Sequence, residues 1–171
     1  IGTTIDGMPN GGSGYGGGSK ANRYLDVQNL LTVSVSQGTA DISSRTNESL
    51  GGTLDYKTSN PERERRYRFS AAAGDFGGRK LYARVDTGEI MPGTYAWISA
   101  STSRVKDWVA ESDTTRRDHF AGKVTSDLGS VKLTGYASFD DANEGEYGSV
   151  SLNSFRQNPD FDGLTANWTG I

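Results

Sequence analysis

The most constraining feature of this sequence is a series of segments, from position 65 onward, in which apolar and polar residues alternate. Near residue 80, for example, Leu81, Ala83 and Val85 alternate with charged or polar residues. Successive side chains of a β-strand point to opposite faces, so the pattern predicts strands with one apolar and one charged face. The predicted strands, with no helical pattern between them, are Arg66–Ala73, Lys80–Asp86, Tyr95–Thr102, His119–Asp127 and Val131–Asp140.

The connections between these strands alternate in length. Met91–Gly93 and Leu128–Ser130 are predicted to be tight turns, whereas Lys106–Asp118 is a long polar connection. Transmembrane β-barrels have short turns on one side of the membrane and long loops on the other, so this alternation favours a barrel wall. A soluble β-sandwich with a charged outer face remains an alternative, because alternation within strands is common to both folds.

The charges on each strand predict which face a barrel would turn toward lipid. An Arg or Lys that faces lipid at mid-membrane costs about 2–4 kcal/mol, so the charged faces are assigned to the lumen. Tyr95–Thr102 has no charged residue on either face, and its orientation stays open. The outward residues of the other strands include Tyr67, Phe69, Leu81, Val85, Phe120, Val124, Leu133 and Phe139. The aromatic residues that would form an interfacial girdle are Tyr67, Tyr95, Trp97 and Phe139.

Composition limits the possible functions. The 171 residues carry a net charge of −3 with 33% hydrophobic residues, which suits one domain or parts of two. No apolar run is long enough for a membrane helix, and the absence of a basic cluster argues against nucleic acid. The sequence has no cysteine, so it has no disulfide framework or thiolate metal site, and we predict no metal and no cofactor. Because it begins at Ile1 without a signal segment, we interpret it as an internal fragment.

Residues 1–61 differ from the rest of the chain. They contain a glycine-rich stretch, Gly7–Gly18, which offers bare backbone and tolerates positive φ. Asn60 and Pro61, followed by a run of charged residues, mark a linker at the boundary. The short elements predicted in this part are strands at Gly2–Asp6, Leu31–Ser36 and Gly51–Thr58, and one or two helical turns at Arg23–Leu30 with Asn22 as the cap.

Three motifs occur in a recognisable order. They are Ile5-Asp6-Gly7-Met8-Pro9-Asn10, then Gln37-Gly38-Thr39-Ala40-Asp41, then the segment Leu50–Pro61 with its Gly51-Gly52 turn. In this order, and followed by barrel-like strands, the sequence resembles TonB-dependent outer-membrane receptors, which have a plug domain inside a large barrel. The resemblance implies the C-terminal part of a plug at residues 1–61, followed at residues 62–171 by the first five or six strands of the barrel.

The fold class predicted from this resemblance is mainly β. It consists of a partial plug, which is a small mixed sheet with short helical turns, and of antiparallel strands of an incomplete transmembrane β-barrel. The resemblance further implies energised uptake of a scarce extracellular ligand of the siderophore, cobalamin or oligosaccharide class, and not catalysis. The implied partners are the ligand, outer-membrane lipid, and TonB acting through a segment absent from this sequence. The implied location is the outer membrane of a Gram-negative bacterium.

The resemblance also implies site residues. The substrate-binding residues, in loops on the extracellular side, would be Tyr15, Lys20, Asn22, Arg23, Tyr24, Trp108, Glu111 and Asp113. The plug–barrel contacts would be Arg45, Asp55, Lys57, Arg66, Arg68 and Arg84. The sequence departs from the family where many members have charged residues in the strand before the glycine turn. Thr32, Ser34 and Gln37 stand there instead, which weakens the case for a charged lock at that strand.

Two other functions remain open at this stage. A secreted carbohydrate-binding β-sandwich would use aromatic stacking surfaces, for which the candidates are Tyr15, Tyr24, Trp97 and Trp108. A β-rich hydrolase would use the carboxylate cluster between Asp140 and Glu146. His119, the single histidine of the chain, is interpreted as a lumen-facing or strand-end residue and not as a general base.

Overall fold

The structure is a computed structural model that describes residues 2–10, 25–38, 51–107, 114–144 and 151–159. Within these residues it contains two β-sheets of different size. The smaller sheet is formed by the first part of the chain and the larger one by the alternating strands. This arrangement confirms the fold class predicted from the sequence.

The small sheet has four strands in the spatial order β2-β1-β4-β3. Strand β1 pairs with β4 in parallel, and the other pairs are antiparallel, so the sheet is mixed as predicted. A 3₁₀ turn at Val27–Asn29 leads into β3, and its cap is Asp26. The predicted cap Asn22 lies outside the described residues. The strands are β1 (Gly2–Ile5), β2 (Met8–Pro9), β3 (Leu30–Gln37) and β4 (Gly52–Thr58).

A glycine is required where β3 and β4 meet. Gly52 has a φ of 122°, and a Cβ atom added there would lie 2.2 Å from the carbonyl oxygen of Ser36. Any other residue would therefore push the two strands apart. This explains in physical terms why the glycine pair of the third motif sits at the start of β4.

The larger sheet, called the wall below, has five antiparallel strands in sequence order. The strands are β5 (Arg65–Ala73), β6 (Arg79–Met91), β7 (Thr94–Lys106), β8 (Thr114–Asp127) and β9 (Lys132–Asn143). Several are longer than predicted, because cross-strand hydrogen bonds continue into polar segments that do not alternate clearly. In particular, β7 and β8 extend into the connection predicted at Lys106–Asp118, which is therefore shorter than expected.

The two faces of the wall have opposite character. On the inner face, Trp97 is 0% exposed and Arg84 and His119 are each 1% exposed. On the outer face, Phe69 is 78% exposed and Ile98 is 64% exposed. The apolar parity therefore points away from the small sheet and the charged parity toward it, as the sequence predicted.

The structure fixes the orientation of β7, which the sequence left open, and it corrects the predicted position of Trp97. Its undecided orientation is fixed by Trp97 and Ser99, which are buried on the inner face, while Ile98 points outward. The placement of Trp97 in an interfacial girdle, or on an exposed stacking surface, is therefore wrong. An indole is large enough to fill the space between two sheets, and here its N–H also finds a backbone acceptor in the chain that joins them.

One helix follows the wall. Helix α1 spans Leu152–Gln157 and begins at Ser151, whose side chain accepts a hydrogen bond from the amide of Ser154. The sequence did not predict this helix. In the described residues, no helix combines the length and the apolar character needed to cross a membrane.

Candidate functional site

The small sheet lies against the inner face of the wall, and polar side chains make most of the contacts between them. We distinguish three groups of contacts, named for the part of the small sheet that takes part. The linker clamp involves residues 59–62 after β4, the helical-turn contact involves residues 25–29, and the Asp6 contact involves the turn after β1.

A buried ion pair forms the base of the linker clamp. Arg84 and Asp86 lie two residues apart on the inner face of β6, and both side chains are 0% exposed. Arg84 donates from Nε and Nη2 to the two carboxylate oxygens, at 3.0 and 2.7 Å. This two-pronged geometry is the strong form of an Arg–carboxylate interaction, and it offsets the cost of removing both charges from water.

The same arginine holds the chain that joins the two sheets. Its Nη1 donates to Ser59 Oγ and its Nη2 to the carbonyl of Asn60, while Asp86 accepts a hydrogen bond from the amide of Glu62. Trp97 Nε1 donates to the carbonyl of Ser59 at 2.9 Å, and its ring lies 4.4 Å from the guanidinium carbon of Arg84. The connection is therefore fixed to the wall through backbone groups as well as side chains.

The helical-turn contact joins the 3₁₀ turn to β6 and β7. Asn29, which is 0% exposed, donates to Ser99 Oγ and accepts from Tyr82 Oη, both at 2.8 Å. Asp26 accepts from Ser101 Oγ at 2.6 Å and forms an ion pair with Lys80 at 2.8 Å. Each polar group that the turn buries thus has a partner on the wall, as buried polar groups require.

The protonation of Asp26 depends on this contact. Burial by itself would raise the pKa of the Asp26 carboxyl, but hydrogen bonds from Lys80, Ser101 and the amide of Gln28, together with the charge of Lys80, outweigh it. The net result is a pKa below the ordinary value of 3.8. The carboxylate is therefore ionised at neutral pH and holds Lys80 in place.

The Asp26 contact should make stability depend on acid pH. Because the pKa of Asp26 is lower in the folded than in the unfolded state, the contact contributes fully above pH 3.8 and is lost as the pH falls below that value. Asp26→Asn is expected to unfold at a lower temperature than wild type at pH 6, and the difference should shrink toward pH 3. Unfolding temperatures at the two pH values measure this. If wild type and Asp26→Asn differ in unfolding temperature by the same amount at both pH values, the ion pair does not contribute to stability.

The Asp6 contact joins the first turn of the small sheet to β8. Lys123, which is 6% exposed, lies 3.2 Å from the Asp6 carboxylate and donates to Thr58 Oγ1 at 2.8 Å. Asp6 in turn accepts from the amide of Thr58 at 2.8 Å. One wall lysine thus holds the ends of β1 and β4 together.

The helical-turn contact also includes a cluster of charged side chains on β8 and β9. Asp140 of β9 accepts from His119 Nδ1 at 2.8 Å and from Arg117 Nη2 at 2.7 Å. Arg117 also donates to the carbonyl of Leu25 at 3.1 Å. His119 is therefore a buried inner-face residue, consistent with the prediction that it faces the lumen. Asp140, which the hydrolase alternative would use, is engaged by two cationic or hydrogen-bonding partners.

Some of the predicted plug–barrel residues join the two sheets, and others do not. Arg84 is the centre of the linker clamp, and Arg68 lies 3.4 Å from Asp86 and 2.8 Å from Glu62. Arg66 reaches only Glu62, at 3.5 Å on the surface. Asp55 accepts from Thr4 Oγ1 within the small sheet, and Lys57 is exposed at the edge of a polar cavity between the sheets. Outside the described residues lie Tyr15, Lys20, Asn22, Arg23, Tyr24, Arg45, Trp108, Glu111 and Asp113.

Sequence reasoning missed several of the residues that join the two sheets. Those it did not assign to the interface are Asp6, Asp26, Asn29 and Trp97, whereas Lys80 and Lys123 were predicted to face the lumen without a named partner. Asp6 lies within the first motif, so its position could have been used as a signal. The others have no local signature, because each becomes an interface residue only through a partner far away in sequence. The charged contacts that the strand at Thr32 lacks are thus supplied by other parts of the small sheet.

The overall arrangement matches solved structures of outer-membrane receptors. The pyoverdine outer membrane receptor FpvA of Pseudomonas aeruginosa aligns over 82% of this chain with a TM-score of 0.68 and 19% identity. The alcaligin outer membrane receptor FauA of Bordetella pertussis aligns over 82% with a TM-score of 0.64 and 20% identity. The complex of FpvAI with pyocin S2 also matches, with a TM-score of 0.67 and 19% identity.

The chain has the plug-and-wall fold of outer-membrane receptors. The small sheet corresponds to the plug and the five strands to part of a barrel wall. This chain spans 20% of the length of the FpvA structure and 23% of that of FauA. No protein-family model matches the sequence, and no curated protein matches it. The likeness therefore comes from the fold and not from sequence identity.

Proposed function

We propose that this chain is the plug-and-wall part of a TonB-dependent outer-membrane receptor that takes up a scarce extracellular ligand. The observation that carries the proposal is the opposite character of the two faces of the wall. Large apolar side chains such as Phe69 and Phe139 are exposed outward, at 78% and 64%, while ionised residues are buried inward against the plug. A soluble protein rarely exposes such a surface, whereas lipid would cover it.

The ligand is proposed to be a small iron-carrying molecule. This finer proposal is supported by the similar structures, which include receptors for pyoverdine, for ferripyoverdine and for alcaligin. Of the three ligand classes considered from the sequence, the siderophore class is therefore preferred over cobalamin and oligosaccharide. The proposed contacts remain those of the sequence analysis, namely Tyr15, Lys20, Asn22, Arg23, Tyr24, Trp108, Glu111 and Asp113.

The plug contacts suggest how uptake would proceed. A wide barrel must be plugged to prevent leakage, and the plug must move or rearrange for a ligand to pass. TonB, the proposed energy-coupling partner, would act on a segment upstream of the plug. The Asp26–Lys80 and Asp6–Lys123 pairs would have to open or shift during this movement, because they join the plug to the wall directly.

The other functions considered from the sequence receive less support. A β-sandwich would cover one face of the wall with a second sheet, but in the described residues the outward face is exposed and the small sheet packs on the charged face. Among the carboxylates of the hydrolase alternative, the Asp140 side chain is 8% exposed and is bound by Arg117 and His119 beside the helical turn. We therefore propose transport without catalysis, in the outer membrane of a Gram-negative bacterium.

Fractionation and uptake measurements test the proposal. The natural protein that contains this chain is expected in the outer-membrane fraction, and its deletion should abolish growth on the cognate iron complex as sole iron source. Dissipation of the proton gradient should also stop uptake while ligand binding continues, as energy coupling requires. Recovery of the protein in the soluble fraction, or uptake that persists without the gradient, would contradict the proposal.

A further inference from the structure

Three arginines stand side by side on the outward face of the wall. Arg79 of β6 pairs in register with Arg104 of β7, and Arg104 pairs with Arg116 of β8. All three are exposed. Each lies an even number of residues from an exposed apolar residue of its own strand, such as Ile98 on β7 or Phe120 on β8, so they share the outward face. We call these residues the arginine row.

The charges of the arginine row are only partly neutralised within the protein. Arg116 pairs with Asp118 on its own strand, and Asp118 in turn lies opposite Asp141 of β9. Arg79 and Arg104 form no ion pair in the part of the chain that the structure describes, although the Asp118 carboxylate also interacts electrostatically with Arg104. Like charges directly opposite each other on neighbouring strands are destabilising. An anion bound to the row would remove this repulsion.

The height of the row on the wall indicates where that anion would lie. Arg104 is ten residues along β7 from Thr94, which follows the short turn. At about 3.3 Å per residue this distance is about 33 Å along the strand. A strand tilt of about 40° reduces it to about 25 Å along the membrane normal, which is the height of the apolar band of an outer-membrane barrel. If the short turns lie at one edge of the band, the arginine row lies at the other, at the level of the headgroups.

The surface below the row suits the rest of a lipid molecule. Two apolar grooves, with volumes of about 620 and 770 Å³, lie between the side chains of Phe69, Phe120 and Phe139. Both are lined by Ala83 and Ala100, whose small side chains leave the space between the phenyl rings open. The second groove also has Thr102 and Asp118 in its lining, two residues from the arginine row, so acyl chains would lie in the apolar part of the grooves beyond these two residues.

On the basis of the proposed membrane location, we propose that the arginine row binds the phosphate groups of a lipid headgroup in the leaflet on the long-loop side. The planar guanidinium group is suited to this role, because it donates two parallel hydrogen bonds to one phosphate. The opposite end of the wall lacks such a row in the described residues. There the outward position on β5 is Arg65, and its partner on β6 is Thr87.

Native mass spectrometry tests the lipid site. The natural protein, purified in non-ionic detergent, is titrated with diphosphorylated lipid A and with the same lipid after removal of its phosphates. The double variant Arg79→Gln/Arg104→Gln is expected to bind the phosphorylated lipid about 30-fold more weakly than wild type. Arg65→Gln, an exposed arginine at the other end of the wall, is the matched control and should bind like wild type. Wild type should prefer the phosphorylated lipid.

Three outcomes would overturn the inference. The double variant could bind as tightly as wild type, the dephosphorylated lipid could bind equally well, or millimolar inorganic phosphate could displace the lipid, which would indicate a free-anion site. Membrane fractionation of the same proteins separates this inference from the proposed function. If wild type is not in the outer membrane, the proposed function fails. If it is, and the double variant still retains lipid, only the lipid site is wrong.

Discussion

Replacing Arg84 by methionine is expected to destabilise the protein by about 3–5 kcal/mol, because a buried carboxylate would lose its partner. Arg84 and Asp86 are both fully buried, and Arg84 supplies two of the hydrogen bonds to the carboxylate. The other cation nearby, Arg68, lies 3.4 Å away and is 30% exposed, so it cannot replace them fully. Denaturant unfolding of the natural protein in detergent measures the loss.

Two further variants make the Arg84 prediction specific. Arg66→Met makes the same change at an arginine that pairs only with Glu62 at the surface. It should lower the free energy of unfolding by less than about 1 kcal/mol. In Arg84→Met/Asp86→Leu no buried charge is left without a partner, so part of the lost stability should return. Equal unfolding midpoints for wild type and Arg84→Met would show that the ion pair does not hold the connection to the wall.

Truncating Trp97 to alanine should have an effect of similar size, about 3–5 kcal/mol, because it leaves a cavity at a fully buried site. The change removes the ring that packs on Arg84 and the N–H that binds the carbonyl of Ser59. The connection between plug and wall should then become accessible to trypsin at Arg63 or Arg65. Unfolding midpoints and the rate of tryptic cleavage measure the two effects.

Trp97→Phe separates the two contributions of the indole. The phenyl ring keeps most of the packing but lacks the N–H donor, so the carbonyl of Ser59 loses its partner, which costs about 1–3 kcal/mol. We expect its tryptic cleavage rate to lie between those of wild type and Trp97→Ala. If Trp97→Ala is as resistant to trypsin as wild type, the tryptophan does not fix the connection.

The strands of the wall could be predicted because their signal is local. Alternation at Lys80–Asp86 predicts a strand from a few adjacent residues. The cost of a charge in lipid then indicates which face of that strand points inward. The prediction failed to find the full length of β7 and β8, since cross-strand hydrogen bonds continue through residues that do not alternate. It also left the orientation of Tyr95–Thr102 open, because neither face of that segment has a charge.

The contacts between plug and wall could not be predicted in the same way. Asp26 and Lys80 are 54 residues apart in sequence, and Asp6 and Lys123 are 117 apart. No spacing rule joins residues at such distances. The charged strand faces predicted that Lys80 and Lys123 point inward, but nothing in the sequence indicated Asp26 and Asp6 as their partners. Arg84 was assigned to the interface only because it lies on a charged strand face, and its partners Ser59 and Trp97 were not anticipated.

Local sequence signals were enough to find the strands and the charged face of four of the five, because alternation and turn residues act over a few positions. Three short motifs carried the resemblance to a plugged barrel. The three-dimensional structure was needed to show which polar groups meet across the two sheets and that Trp97 is buried. It also placed three arginines of different strands in one row. These features depend on cross-strand register and on the docking of the sheets, which bring together residues that the chain keeps far apart.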